Sequence, residues 1–199
     1  VKITIYVEGG GDNSFTRTRC REGFARYCEK ICPVGKRPRI VACGGRQQTF
    51  DRFKTEVELR HTEEHCVLLV DSEGPVSTGI TAITHLQNRD GWTFPISQGM
   101  HAFLMVQAME AWLIADRTLL SRFYGQGFRL SALPGNTTNI ESIPKNDLAD
   151  SLATATAATK SKGYHKTKHA FNLLAQIDPA KVERVSEHAA RFHEFLRSR

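Results

Sequence analysis

No apolar stretch of this chain approaches the ~20 residues that a membrane helix requires, and no part of it reads as an internal repeat or a low-complexity tract. The first absence excludes a helical membrane span, and the second excludes a solenoid or a compositionally biased array. The opening residues show no charged-then-apolar leader; Ile3 to Val7 read at once as a strand, so a cytoplasmic location is expected. Cysteine is scarce and odd in number. Cys20, Cys28, Cys32, Cys43 and Cys66 lack the spacing of a disulfide scaffold, which suits a reducing compartment. Cys28 and Cys32 lie one helical turn apart but have no second ligand pair nearby, and they read as buried thiols rather than a zinc site. Acidic residues are outnumbered, 21 Asp and Glu against 27 Lys and Arg, for a net charge of +6 and a pI near 9.2. The rest is ordinary for a soluble globular domain: 199 residues, 40% hydrophobic and 24% charged.

What is present is organised around Val67-Leu68-Leu69-Val70-Asp71-Ser72-Glu73-Gly74. The run Cys66 to Val70 is too short for a typical helix and does not alternate, as expected of a strand buried on both faces of a parallel sheet. On an extended segment Asp71 and Glu73 would project to the same side at the strand's end. Ile3 to Val7 is a second such run, and it stops at Glu8, followed by Gly9-Gly10-Gly11-Asp12. In an open parallel sheet, sites gather beyond the carboxyl ends of the strands. Glu8, Asp71 and Glu73 are therefore expected to converge there, where close carboxylates need a cation or protons between them.

Between these runs, Phe15, Cys20, Phe24, Tyr27 and Cys28 recur at helical spacing, closed by Pro33 and Gly35. Asp12, Asn13 or Ser14 can cap that helix, and capping is the simpler role for Asp12. Its exposed side is basic, with Arg17, Arg19, Arg21, Arg26 and Lys30. Arg39 to Cys43 reads as a strand, and Phe50, Phe53 and Val57 mark a second helix. This alternation predicts a parallel, right-handed βαβ sheet. A helix is expected from Thr78 to Leu86, a turn at Asn88 to Gly91, a short strand at Phe94 to Ser97 and a firmer one at Ala102 to Val106. Met109, Trp112, Leu113 and Leu120 then share a helix face, with Glu110 in its first turn. Tyr124 to Asn139 reads as a loop, followed by a helix to Thr159, another from Tyr164 and a last one from Ala180 to Leu196.

With Glu8-Gly9-x-x-Asp12 after the first strand and Asp71-x-Glu73 after the third, the chain resembles the Toprim fold of topoisomerases, bacterial primases and overcoming-lysogenization-defect nucleases. Glu73 stands where that family usually has a second Asp. Met109-Glu110-Ala111-Trp112-Leu113 with Asp116, and Tyr164-x-Lys166 with His169-Ala170, carry a closer likeness to a bacterial Toprim-like family found beside ATPases in phage-defence loci. The resemblance implies an α/β, Rossmann-like, mostly parallel sheet of four to five strands flanked by helices. It divides the chain into a Toprim-like part over 1–123 and a helical extension over 124–199 packed on the same domain. It also implies a metal-dependent nuclease acting on DNA or RNA with a nearby-encoded ATPase partner, and it leaves a homodimer open.

Oxygen-only ligands favour Mg²⁺ or Mn²⁺. Asp71 would be the principal ligand, Glu73 a direct or water-mediated one, and Glu8 a second-metal ligand or general base. Glu110 is the further acid and Asp116 the next; six residues apart on a helix they cannot share a face, so one of the two is structural. Lys166 is the expected cation at the transition state, with Lys168 or His169 behind it. From Lys160 to Arg199 there are nine Lys and Arg against four Asp and Glu. Lys160, Lys162, Lys166, Lys168 and His169 are thus the expected nucleic-acid contacts, although a basic helix can also be simply a solvated face. A non-catalytic binding module is the competing reading. A haloacid-dehalogenase-like phosphotransferase is set aside, because that chemistry wants its Asp-x-Asp after the first strand, where this chain has Glu8.

Overall fold

The computed structural model describes residues 2–11, 13–59, 64–135 and 137–199. Four strands, β1 (Lys2–Val7), β2 (Arg39–Ala42), β3 (Glu64–Asp71) and β4 (Met100–Met105), form one sheet in the order β2-β1-β3-β4. Every neighbouring pair is parallel, with Val7 opposite Leu69 and Asp71 opposite Met105. The crossovers are α1 (Ser14–Glu29), α2 (Arg46–Leu59) and α3 (Ala82–Asp90). The protein is therefore an α/β, Rossmann-like fold with helices on both faces of the sheet, and it carries four strands among its described residues.

Strand periodicity sorts the core into two layers. Ile3, Ile5, Val7, Val67, Leu69 and Met105 join Phe24 and Tyr27 of α1 on one face. Tyr6, Leu68, Val70 and Leu104 join Phe50 and Phe53 of α2, Leu86 of α3 and Trp92 on the other. The first layer continues through α4 (Met109–Ala115) and α5 (Arg117–Tyr124) into the C-terminal helices α6 (Lys145–Thr156), α7 (Phe171–Gln176), α8 (Pro179–Glu183) and α9 (Glu187–Arg197). Leu148, Leu173 and Phe192 thus share one core with β1 and β3. At Gly23 the backbones of α1 and α7 approach closely; a methyl group there would lie 2.7 Å from the carbonyl oxygen of Phe171.

The structure moves several predicted boundaries. The third helix spans Ala82–Asp90 instead of Thr78 to Leu86, because Thr81 is its cap (Thr84 N–H to Thr81 Oγ1, 3.1 Å) and Gly91, at φ 69°, terminates it. The expected turn at Asn88 to Gly91 is that helix's last turn. Phe94 to Ser97 is not a strand; the Pro95 nitrogen has no N–H for a ladder, and the Phe94 ring packs edge-on against Phe50 and Phe53. The helix expected to run past Asp116 breaks there, since the Asp116 carboxylate accepts the Leu119 N–H at 3.0 Å and starts α5. The final helix is likewise two, separated at Ser186, which caps α9 through the Ala189 N–H at 3.1 Å.

Candidate active site at the carboxyl rim of the sheet

Asp71 ends β3 on the face shared with α4. Its Oδ1 accepts the N–H of Met109, the first residue of α4, at 2.8 Å, where helix geometry leaves a donor without an internal partner. Burial, with the Glu110 and Glu8 charges against the opposing Lys166, pushes its carboxyl up to about 7. Beyond Asp71 the pairing with the β4 side continues through Ser72 N–H to Met105 O and Glu73 N–H to Gln107 O. A cis peptide joins Val106 to Gln107.

Glu8 follows Tyr6 by two positions, which carries it toward the opposite, α2 face. There Arg46, in the first turn of α2, holds it at 3.1 Å. The same guanidinium donates to the Asp71 carbonyl at 2.7 Å, grips both oxygens of Asp90 at 2.9 and 2.8 Å, and lies over the Trp92 ring. Burial raises the Glu8 carboxyl from its ordinary value, with Arg46 opposing.

Glu73 does not follow Asp71 to the same side. Its φ of 65° takes it out of the extended conformation on which that expectation rests. The carboxylate meets Lys145 at the start of α6 (Nζ to Oε2, 2.5 Å), with Arg89 at 3.8 Å. Burial works to raise its carboxyl, but Lys145, Arg46 and Arg89 outweigh it and hold the carboxyl low. Gln107 sets this contact: its Oε1 accepts the Lys145 N–H at 3.1 Å, and its Nε2 donates to Glu141 O at 3.2 Å.

Glu110, 5% exposed, sits in the first turn of α4 as expected. Its Oε1 accepts the Tyr164 hydroxyl at 3.1 Å and lies 3.4 Å from Lys166 Nζ, whereas its buried Oε2 has no hydrogen-bond partner. Lys166 opens a π-helical turn (Lys166–Ala170), a distortion frequent at functional sites. Burial would lower its ammonium pKa, but Glu110, Asp71 and Glu8 together raise it, so one lysine answers three acids.

The other predicted residues separate. Asp116 is structural: besides capping α5 it accepts the Asp178 N–H and pairs with Lys181 at 2.6 Å. Asp12 lies outside the described residues; the α1 cap is Asn13, through the Phe15 N–H at 2.8 Å. His169 Nδ1 is engaged by the Tyr124 hydroxyl at 3.0 Å and by the His165 N–H at 3.3 Å, which leaves that ring nitrogen in the fold's own service. Lys160, Lys162 and Lys168 are exposed. Arg46, Lys145 and Gln107 were not anticipated. Arg46 carries a signal of a kind, since it follows Gly44-Gly45 at the end of β2 much as Glu8 closes β1. Lys145 and Gln107 carry none.

A family model described as Domain of unknown function (DUF4276) matches residues 7–197. The chain belongs to the DUF4276 family. No curated protein and no solved structure matches it. The match runs from the end of β1 into α9, so it spans every rim residue described above.

The donor chemistry of this DUF4276 rim is hard oxygen throughout. Among the described residues no three His, Cys, Asp or Glu side chains converge to hold a metal ion. A smaller set fits: Asp71 and Glu110 act on each other electrostatically, and Glu110 keeps a buried oxygen without a partner. One or two carboxylates, with water completing the shell, are what Mg²⁺ commonly takes from a protein.

Proposed function

We propose that this DUF4276 chain is a Mg²⁺- or Mn²⁺-dependent nuclease of Toprim type that hydrolyses phosphodiester bonds of DNA or RNA at the carboxyl rim of its sheet. The observation that carries the reading is the buried Asp71, its carboxyl raised to about 7 within the electrostatic reach of Lys166 and of Glu110, which pairs with that lysine and keeps one buried oxygen unpartnered. Asp71 and Glu110 would hold the ion, with Glu73 joining once drawn from Lys145. When bound, the ion supplies positive charge to the phosphoryl oxygens and acidifies water. Tyr164 fixes Glu110 through one oxygen and leaves the other available. Lys166, whose side chain is more than half exposed, can turn from Glu110 to a phosphate and offset charge building there. Glu8, half-buried and held by Arg46, would take a proton from attacking water. An ATPase encoded nearby and a role in phage defence belong to the same proposal through the Toprim resemblance; co-purification with the neighbouring gene product tests the first.

A second reading has its own observation. Glu8, Glu73 and Glu110 each meet a cation of the chain itself, Arg46, Lys145 and Lys166, as a sheet kept for binding without catalysis would arrange them. Incubation of the purified chain with plasmid and with RNA, with and without Mg²⁺ or Mn²⁺, separates the two. Metal-dependent cleavage that disappears in Asp71→Asn supports the nuclease. Failure to cleave with either metal, with nucleic-acid binding unchanged in the variant, leaves the module.

A further inference from the structure

The basic residues of α1 divide between two sides of the helix, Arg19 and Arg26 toward α7 and Arg17 and Arg21 toward β2. Ser14, Arg17, Thr18 and Arg21 face β2, and with Arg39 they line a groove of about 350 Å³ whose β2 wall continues through Ile40 to Ala42. Among the described residues that line it, none is acidic. β2 is an edge strand, so the groove runs along a side of the sheet that no other strand among the described residues closes. Phe15 does not line the groove but flanks it, next to Ser14 and three positions before Thr18; it is 66% exposed, with the Arg19 guanidinium 5.3 Å from its ring centre.

The groove also leads to the acids. Arg17 Nε donates to the Gly11 carbonyl at 2.7 Å, in the glycine turn that follows Glu8. Gly9 of that turn pairs with Gly44, just beyond β2. The groove's head and the acid rim therefore lie at the same end of the sheet.

We propose that this groove seats single-stranded nucleic acid, with Phe15 as a stacking surface for a base and Arg21 and Arg39 on the phosphates, feeding the strand toward Glu8 and Asp71. Guanidinium groups pair with phosphate in a planar fork. An exposed aromatic beside a cationic track is how proteins hold unpaired bases, whose faces are free to stack. A duplex hides those faces and would make no use of Phe15. The seat rests on the nuclease reading for its purpose but not for its binding, which needs no metal.

The test is fluorescence anisotropy of the whole chain in EDTA with labelled oligo-dT and oligo-rU of about 20 nucleotides, and with a DNA duplex of the same length. Phe15→Ala is expected to weaken the better-bound single strand about tenfold and to leave duplex binding unchanged. Arg21→Ala with Arg39→Ala is expected to weaken both, and to flatten the salt dependence by about 0.7 for each single-strand phosphate that the variant no longer neutralises. Lys160→Ala with Lys162→Ala, on the C-terminal side, is the comparison and is expected to change either affinity less. All these positions are at the surface, and thermal melts establish that each variant folds. The tighter of the two oligonucleotides names the sugar of the natural strand. Single-strand affinity unchanged in Phe15→Ala, or a larger loss in the lysine variant than in the arginine variant, overturns the proposal. No cleavage by the unaltered chain with either metal, with these binding results intact, sinks the nuclease reading alone; metal-dependent cleavage with single-strand binding indifferent to Phe15 and both arginines sinks the groove alone.

Discussion

Asp116, at the corner between α4 and α5, and Asp71, at the end of β3, are almost equally shielded from solvent, 4% and 6% exposed. Asp116 receives the N–H groups of Leu119 and Asp178 and the ammonium of Lys181. Burial alone would raise its carboxyl, but these donors hold it below the ordinary 3.8. Asp71 receives one N–H, shares a lysine with two other acids, and is driven up to about 7. Asp71 lies deeper among protein atoms and has fewer donors, so the same kind of side chain is a fastener in one place and an unsettled charge in the other. An acid left unsettled among other charges at a sheet's carboxyl rim is a candidate for a functional position.

The comparison is sharpest in activity. Asp71→Asn keeps an acceptor for the Met109 N–H and removes the unsettled charge, so metal-dependent cleavage is expected to fall on the order of 10²-fold or more with no loss of thermal stability. Asp116→Ala reverses the pattern: it should cost about 2–3 kcal/mol in urea unfolding, through the lost cap and stranded donors, and leave cleavage per folded molecule near wild type. Equal effects of the two substitutions on stability would erase the distinction.

Acid titration probes the same contrast. Because the folded Asp116 carboxyl lies below its unfolded value of 3.8, its stabilisation is complete above about pH 4 and is lost as pH falls through the folded value. Asp116→Asn should therefore flatten the acid limb of the stability curve below pH 4, measured by denaturant unfolding across pH. The smallest effect concerns Glu73. Lys145→Ala removes a half-exposed ion pair worth under about 1 kcal/mol and frees that carboxylate, so Mn²⁺ affinity by calorimetric titration should rise severalfold. A drop would mean that Glu73 plays no part in holding the ion.

The sheet and its terminal acids were legible because both depend on local signals, short apolar runs ended by carboxylates and glycines. The position of Glu110 in the first turn of α4 was legible for the same reason. The direction of Glu73 was not, because period-two alternation holds only while the backbone stays extended, and its φ of 65° ends that. Arg46, Lys145 and Tyr164 reach the acids across long sequence separations, and no pattern in one sequence reports such a meeting. The breaks at Asp116 and Ser186 were written in the sequence as capping residues, but a continuous apolar stripe outweighed them. Helix periodicity alone cannot distinguish one helix from two that share a packed face.

The bare backbone at Gly23 has a reach that no side chain at the rim possesses. It lets α1 press against Phe171, and Phe171 directly follows the turn that begins with Lys166. A single added carbon at Gly23 would therefore push on the segment that carries this ammonium, as a shim pushes on a hinge.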